Sequence, residues 1–226
     1  MMRKAIFLII SLLFFSSLVD ANTKCCCEKK LTKDTTRRLQ HAKELLGSGF
    51  QQSHVSLSAQ VPSVKKFIGG IVQERLETFG KKYAHRVTNA IISESKKQGL
   101  DPVFVLAVIE TESQFDPKVV GSHGEIGLMQ IKPDTAQWIA QKNGYTWKGK
   151  ESLKNPQVNI RIGVAYLAFL RQEFDGLAHQ YVAAYNMGPG GVRRLASLDI
   201  KPKDYSTRVM TNYYDFYDSL LAKEYN

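Results

Sequence analysis

Two glutamates, Glu110 and Glu112, stand directly after the apolar run VFVLAVI, and a glycine-rich turn follows them. A carboxyl group held against apolar surface loses hydration when it ionises, so its pKa rises towards the value that a general acid needs near neutral pH. Most glutamates in proteins instead lie in water. The segment therefore indicates either a catalytic acid or the point at which a buried helix meets solvent.

The residues around the two glutamates favour Glu112 as the buried one. On a helix, a side chain lies beside those three and four positions away, and for both glutamates the upstream neighbours are apolar. Downstream, Phe115 extends the apolar surface beside Glu112, whereas Ser113 and Gln114 follow Glu110. We therefore expect Glu112 to lean inward.

Short helices are expected to position these residues. Prolines at the first helical position, side-chain caps before them and glycines after the last turn mark helix boundaries. Such signals predict helix starts at Asp101-Pro102, Pro133 and Asn155-Pro156 and a helix end at Gly99. Alternating strand patterns are nearly absent, so residues 81–226 read as an all-α domain with one core.

Two further polar clusters adjoin glycine-rich turns. Gly127 begins the sequence GLMQ, which contains Met129 and Gln130 and precedes the helix start at Pro133. Tyr185 and Asn186 lead into the turn GPGG. Tyr185 and Asn186 can reach a ligand if they face a cleft. For the turn that contains Gly127, the glycines allow the backbone to pass close to another group, and a compact surface loop is the alternative. Neither a Walker pattern nor a strand precedes the glycines, which argues against a phosphate site.

Composition narrows the classes of function. Hydrophobic residues make up 43% and charged residues 23% of the 226 residues, which excludes a wholly disordered chain. The formal charge is +10, spread along the chain, and suits an anionic partner such as a wall polymer or a membrane surface. No dense basic block with interleaved aromatic residues appears, so nucleic acid is not expected as a partner.

The first third of the chain predicts export. Residues 1–21 combine a basic start, an apolar stretch and a small-residue cleavage site, as a secretory signal peptide does. Residues 22–80 read as a basic polar segment or stalk, with a loose helical pattern. Cys25, Cys26 and Cys27 are adjacent, so they cannot staple the domain by pairing with one another. The expected location is the periplasm or cell envelope.

Three blocks together, ETESQFDPKVVGSHGEIGLMQIKP, NPQVNIRIGVAYLAFL and YVAAYNMGPGGVRR, resemble the catalytic domain of soluble lytic transglycosylases. The resemblance covers about residues 83–220 and implies a goose-type lysozyme-like helical fold, acting on the glycan strands of bacterial peptidoglycan. It implies that Glu112 is the sole catalytic acid and base and that Glu110 is a bystander. The substrate-binding residues that it implies are Ser113, Gly127, Met129, Gln130, Tyr185, Asn186 and Tyr205, with Tyr213 as the alternative to Tyr205.

The family's reaction needs no metal or organic cofactor. Cleavage of the bond between N-acetylmuramic acid and N-acetylglucosamine would leave a 1,6-anhydromuramoyl end. A lysozyme-like hydrolase is the nearest alternative and would need a second carboxylate, for which Asp116, Glu125 and Asp134 are candidates. Other hypotheses are a non-catalytic peptidoglycan-binding part of a secretion machine, and weak membrane association through residues 22–80.

Overall fold

The computed structural model describes residues 31–58 and 64–225. The predicted signal peptide and the three cysteines lie outside these residues. Within them, helices are joined by loops and short 3₁₀ helices, and extended backbone occurs only as isolated bridges at Val120, Ile126 and Ile131. The helices are α1 (Lys33–Leu46), α2 (His54–Leu57), α3 (Val64–Arg75), α4 (Lys81–Gln98), α5 (Pro102–Ser113), α6 (Pro133–Lys142), α7 (Pro156–Glu173), α8 (Ala178–Ser197) and α9 (Asp204–Tyr225), and the 3₁₀ helices are Gly47–Gln52, Glu77–Phe79 and Lys150–Lys154.

The predicted all-α class and the predicted helix boundaries are confirmed. The Asp101 side chain accepts a hydrogen bond from the Val103 N–H at 2.9 Å and so caps α5. The Asn155 side chain caps α7 in the same way, through the Gln157 N–H at 2.9 Å. Gly99 ends α4 with φ 66°, in the left-handed region where a Cβ is disfavoured. No helix in the described ranges is both long and apolar enough to cross a membrane.

Helix α5 forms the centre of the core. Its residues from Val103 to Ile109 are each at most 1% exposed, so the helix is buried on every side. A helix that is hydrophobic all round must be covered all round. Helices α3, α4 and α9 pack directly against it, and α7 packs against α4. Glu112 therefore sits at the end of a rigid, enclosed element.

Residues 31–58 and 64–79 differ from the expected stalk, because they are helical and join the same core. Ala42, Val55, Ile68 and Val72 are fully buried, and one compact unit extends from Leu31 onward. The sequence pattern did not predict this packing, because two of the buried side chains of α1, Arg38 and His41, are polar.

Arg38 and His41 are buried because each has hydrogen-bond partners. Arg38 donates from Nη1 to the Tyr217 hydroxyl at 2.7 Å and from Nη2 to the Ser58 carbonyl at 3.0 Å. His41 Nδ1 accepts the Asp101 N–H at 3.0 Å, so Nε2 carries the proton that bonds to the Tyr181 hydroxyl at 3.1 Å. Burial lowers the pKa of His41 to about 3, which keeps the ring neutral.

The start of α5 meets the second half of α9 at Asp101. The hydroxyls of Tyr213 and Tyr217 both donate to Asp101 Oδ2, each at 2.7 Å, and all three side chains are fully buried. Burial raises the pKa of Asp101, and the charge of Arg38 and the two hydroxyl bonds oppose that rise. We call Arg38, Asp101, Tyr213 and Tyr217 the Asp101 node.

Replacing Asp101 with Asn should lower the free energy of unfolding by about 3 kcal/mol, because it leaves the Arg38 charge buried without its counter-charge. The measurement is urea unfolding followed by circular dichroism. The control is Asp134→Asn, an exposed residue in the first turn of α6, with an expected loss below about 1 kcal/mol. Equal losses in the two variants would show that the node contributes no more than a surface charge.

Candidate active site

Glu112 lies in the last turn of α5 and pairs with a tyrosine from α9. The Tyr205 hydroxyl donates to Glu112 Oε1 at 2.5 Å, and Tyr205 is only 8% exposed. Tyr205 stands in the first turn of α9, which runs antiparallel to α5. Tyr213, the alternative partner from the sequence, bonds to Asp101 instead.

The surroundings of Glu112 favour its protonated form. Burial, the largest cause, raises its pKa to about 7, and the nearby charge of Glu125 acts in the same direction. The Tyr205 hydrogen bond and the charge of Arg208 oppose the rise, because both stabilise the carboxylate. A carboxyl group with this pKa can both give and take a proton near neutral pH.

Glu110 lies in a different setting. Its Oε1 lies 3.1 Å from Nη2 of Arg75 in α3, and its side chain is 16% exposed. Burial raises its pKa, and the charge of Arg75 opposes that rise. Glu110 therefore forms an ion pair between helices, whereas Glu112 pairs with a neutral hydroxyl.

A loop of residues 114–132 folds back over the end of α5. Ser113 donates its hydroxyl to the Leu128 carbonyl at 2.8 Å, which joins the helix to the loop. Gln130 Nε2 donates to the Gly127 carbonyl at 2.8 Å and to the Val119 carbonyl at 3.2 Å, which closes the loop on itself. Ser113 is 8% exposed, so its hydroxyl serves this junction.

Asn159, in α7, binds the loop through its side-chain amide. Its role was not predicted from the sequence. Its Oδ1 accepts the Met129 N–H at 2.8 Å, and its Nδ2 donates to the carbonyls of Ile126 at 2.7 Å and Leu153 at 3.1 Å. The side chain is fully buried. A single amide among the apolar positions of a helix was the available signal, since buried polar groups need partners.

Two glycines allow the loop to lie this close to α7. Gly127 has φ 77°, and a Cβ there would lie 2.7 Å from Asn159 Nδ2. A Cβ on Gly163 would lie 2.5 Å from the sulfur of Met129. Met129 is therefore fully buried against α7, and its carbonyl accepts the Tyr185 hydroxyl at 2.9 Å.

The remaining predicted site residues divide by exposure. Tyr185 is 8% exposed and lies close enough to Glu112 for that carboxylate to raise its pKa, after the larger effect of burial. Asn186 is exposed, just before Gly188, whose φ of 77° breaks α8. The structure thus brings Tyr185, Tyr205 and Glu112 together, and it places Gly127, Met129 and Gln130 in the loop that borders them, with Ser113 at the end of α5 bonded to that loop.

A hydrolase would need a second carboxylate, and the three candidates for it lie in different settings. Asp116 accepts the Lys118 N–H at 2.8 Å within a turn, and Asp134 is exposed on α6. Of these three, only Glu125 affects the pKa of Glu112 through its charge. Glu125 Oε1 lies 3.4 Å from Lys132 Nζ. Within the described part of the chain, no three or more histidine, cysteine or carboxylate side chains are grouped to hold a metal ion.

Comparisons with known proteins agree with this geometry. The family profile described as "Transglycosylase SLT domain" matches residues 89–207. The chain is 32% identical over 153 residues to membrane-bound lytic murein transglycosylase C of Cronobacter sakazakii, covering 63% of this chain and 42% of that protein. It is 37% identical over 114 residues to the protein of the same name from Actinobacillus pleuropneumoniae, covering 46% and 31%. The chain therefore spans less than half the length of these relatives.

Two solved structures have a similar fold. One is an inactive mutant of the lytic transglycosylase Slt from Pseudomonas aeruginosa, with a TM-score of 0.54 and 25% identity, covering 81% of this chain and 32% of that chain. The other is the 70 kDa soluble lytic transglycosylase of Escherichia coli, with a TM-score of 0.54 and 23% identity, covering 74% and 33%. Both support the lysozyme-like helical fold.

Replacing Gly163 with Ala should lower the free energy of unfolding by about 1–3 kcal/mol, because the new methyl group must displace Met129 and the loop. The measurement is urea unfolding. The matched control is Gly70→Ala, in α3, where a Cβ meets nothing within 4 Å and the substitution should stabilise the helix by about 0.5–1 kcal/mol. A stabilised Gly163→Ala variant would contradict the close contact.

Replacing Glu112 with Gln should make the protein more stable at pH 8, by about 1–3 kcal/mol. The native carboxyl group binds its proton up to about pH 7, above the ordinary pKa of 4.5, so the wild type loses stability as pH rises through this window and the amide does not. The difference should be small at pH 4. Unfolding free energies across this range test it, with the exposed Glu74→Gln, expected to change by less than about 0.5 kcal/mol, as control.

Proposed function

The chain belongs to the transglycosylase SLT domain family, and we propose that it is a peptidoglycan lytic transglycosylase in which Glu112 alone serves as general acid and base. The observation that carries the proposal is the hydrogen bond between Tyr205 and Glu112, on a carboxyl group whose pKa burial raises to about 7. The region that holds the proposed site residues is residues 81–226, and the proposed location is the periplasm or cell envelope.

In the first step, protonated Glu112 gives its proton to the glycosidic oxygen between N-acetylmuramic acid and N-acetylglucosamine. The C1–O bond breaks, and the N-acetylglucosamine side leaves as an alcohol with that proton. The acetamido oxygen of the muramoyl residue stabilises the cationic C1. The Tyr205 hydroxyl and the Arg208 charge favour the Glu112 carboxylate that this step creates, because each stabilises the ionised form.

In the second step, the Glu112 carboxylate takes the proton of the muramoyl 6-hydroxyl as that oxygen bonds to C1. The product is a 1,6-anhydromuramoyl end, and Glu112 regains its proton. The nucleophile belongs to the same sugar, so the attack is intramolecular and gains the advantage of proximity. One carboxyl group is enough for both steps, in contrast to glycosidases that use two.

The buried side chains around Glu112 suit a reaction that excludes water. Tyr185 and Tyr205 are each 8% exposed, and Met129 beneath the loop is fully buried. The proposed contacts with the glycan strand are made by Gln130, Tyr185 and Asn186 at the rim of the site, while Ser113, Gly127 and Met129 shape the loop.

A lysozyme-like hydrolase is the second candidate, and one observation favours it. The charge of Glu125 acts on Glu112, so a second carboxylate lies within electrostatic reach of the proposed acid. Glu125 already accepts the His123 N–H at 3.0 Å and lies beside Lys132, which suits a loop-stabilising role as well as a base for water. The identity of the product separates the two candidates.

Incubating purified peptidoglycan with the full chain should release products with anhydromuramoyl ends, identified by mass spectrometry. Glu112→Gln should reduce their rate of formation by about 10²–10⁴-fold, the usual contribution of general acid and base catalysis. Glu110→Gln is the matched control and should keep the wild-type products, because Glu110 is paired with Arg75.

Other outcomes would change the conclusion. Reducing ends that disappear in Glu125→Gln would establish a hydrolase. Binding to peptidoglycan without product from the wild type would favour a non-catalytic wall-binding component. Wild-type activity in Glu112→Gln would remove Glu112 from the mechanism.

A further inference from the structure

Helices α5 and α9 are hydrogen-bonded to each other at both ends of α5. At one end, Tyr205 donates to Glu112 at 2.5 Å. At the other, Tyr213 and Tyr217 donate to Asp101 at 2.7 Å each. Asn212 Nδ2 of α9 also donates to Thr111 Oγ1 of α5 at 2.9 Å, between these two ends. All these links lie on one pair of antiparallel helices, so each constrains the others.

The spacing of the two links fixes how far one helix can slide along the other. Eleven positions separate Asp101 from Glu112, and twelve separate Tyr205 from Tyr217. At a rise of about 1.5 Å per residue, both spans are roughly 17–18 Å. A slip of one helical turn, about 5.4 Å, would take the hydroxyl of Tyr205 out of hydrogen-bond reach of Glu112.

Helix α1, which lies outside the range that the family profile matches, also bonds to the Asp101 node. Arg38 of α1 donates from Nη1 to the Tyr217 hydroxyl at 2.7 Å and to Ser58 Oγ at 2.8 Å, and it is 6% exposed. Its charge compensates Asp101. Arg38, Tyr213 and Tyr217 all lie outside residues 89–207, the range that the family profile matches.

We propose that Arg38, Tyr213 and Tyr217 are positioning residues for the reaction, because through Asp101 they set the register that places Tyr205 on Glu112. The N-terminal segment of residues 31–58 is thereby part of the catalytic unit. This inference rests on the proposed role of Glu112, but the alignment of Glu112 with Tyr205 can be measured without any substrate.

The charged and titratable groups that act on Glu112 come from three elements. Tyr205 and Arg208 belong to α9, Tyr185 to α8 and Glu125 to the loop. Both groups from α9 favour the carboxylate. Movement of α9 away from Glu112 therefore changes the pH at which Glu112 titrates, because it weakens the Tyr205 bond and the effect of the Arg208 charge and also alters the burial of the carboxyl group.

The test is Tyr213→Phe in the full chain, which removes one hydroxyl of the node and keeps the ring. The ¹³C NMR signal of the Glu112 carboxyl group, assigned by its absence in Glu112→Gln, should titrate at a pH that differs by about 0.5 or more from the wild-type midpoint. On peptidoglycan, kcat should fall by about tenfold with KM changed less than about twofold, as expected when only the transition state is affected.

A double substitution separates positioning from general loosening. In a Tyr205→Phe background the link to Glu112 is already lost, so adding Tyr213→Phe should change the titration midpoint and kcat by less than it does in the wild-type background. An equal additional change in that background would overturn the proposal. Tyr217→Phe provides the same test if Tyr213→Phe does not fold.

The matched control is Glu44→Gln. Glu44 also anchors α1, through a bond from Arg171 Nη2 of α7 at 2.6 Å, but it does not touch the Asp101 node. Its loss should lower the melting temperature and leave the Glu112 titration and kcat unchanged. A displaced midpoint in this control, or an unchanged midpoint in Tyr213→Phe, would overturn the proposal. If the wild type gave no peptidoglycan product, the titration midpoint of Glu112 would still test whether the Asp101 node positions Tyr205 on Glu112.

Discussion

The burial of α5 on every side is the constraint on which the rest of the structure depends. A helix without a solvent-facing side can carry ionisable groups only near its ends, where neighbouring elements supply partners. Asp101 occupies one end and Glu112 the other, and α9 provides tyrosine hydroxyls to both. The same helix pairing therefore completes the hydrophobic core and arranges the proton chemistry.

The two carboxyl groups differ in what surrounds them and so in what they can do. Burial raises the pKa of both. Asp101 is enclosed by Arg38, Tyr213 and Tyr217, which are at most 6% exposed, so no ligand can exchange a proton with it. Glu112 is only half-buried, beside a loop, and its pKa of about 7 makes both protonation states accessible. The first suits a structural role and the second a chemical one.

The features that could be predicted from sequence are those set by local chain chemistry. The capping of α5 by Asp101 and the preference for Glu112 over Glu110 follow from neighbouring residues alone. Asn159 and Arg38 were not found, because each depends on a partner distant in sequence: Met129 lies 30 positions from Asn159, and Tyr217 lies 179 positions from Arg38. The packing of α1 was missed for the same reason, since part of its buried face is polar.

The distribution of these contacts along the chain also bears on what a family match can establish. The matched range contains Glu112, Tyr205 and the loop of residues 114–132. The contacts that orient α5 against α9 come in part from Arg38, before that range, and Tyr217, after it. Since a proton can be transferred only between groups held within hydrogen-bond distance, residues outside the matched range contribute to the proposed mechanism by maintaining that distance.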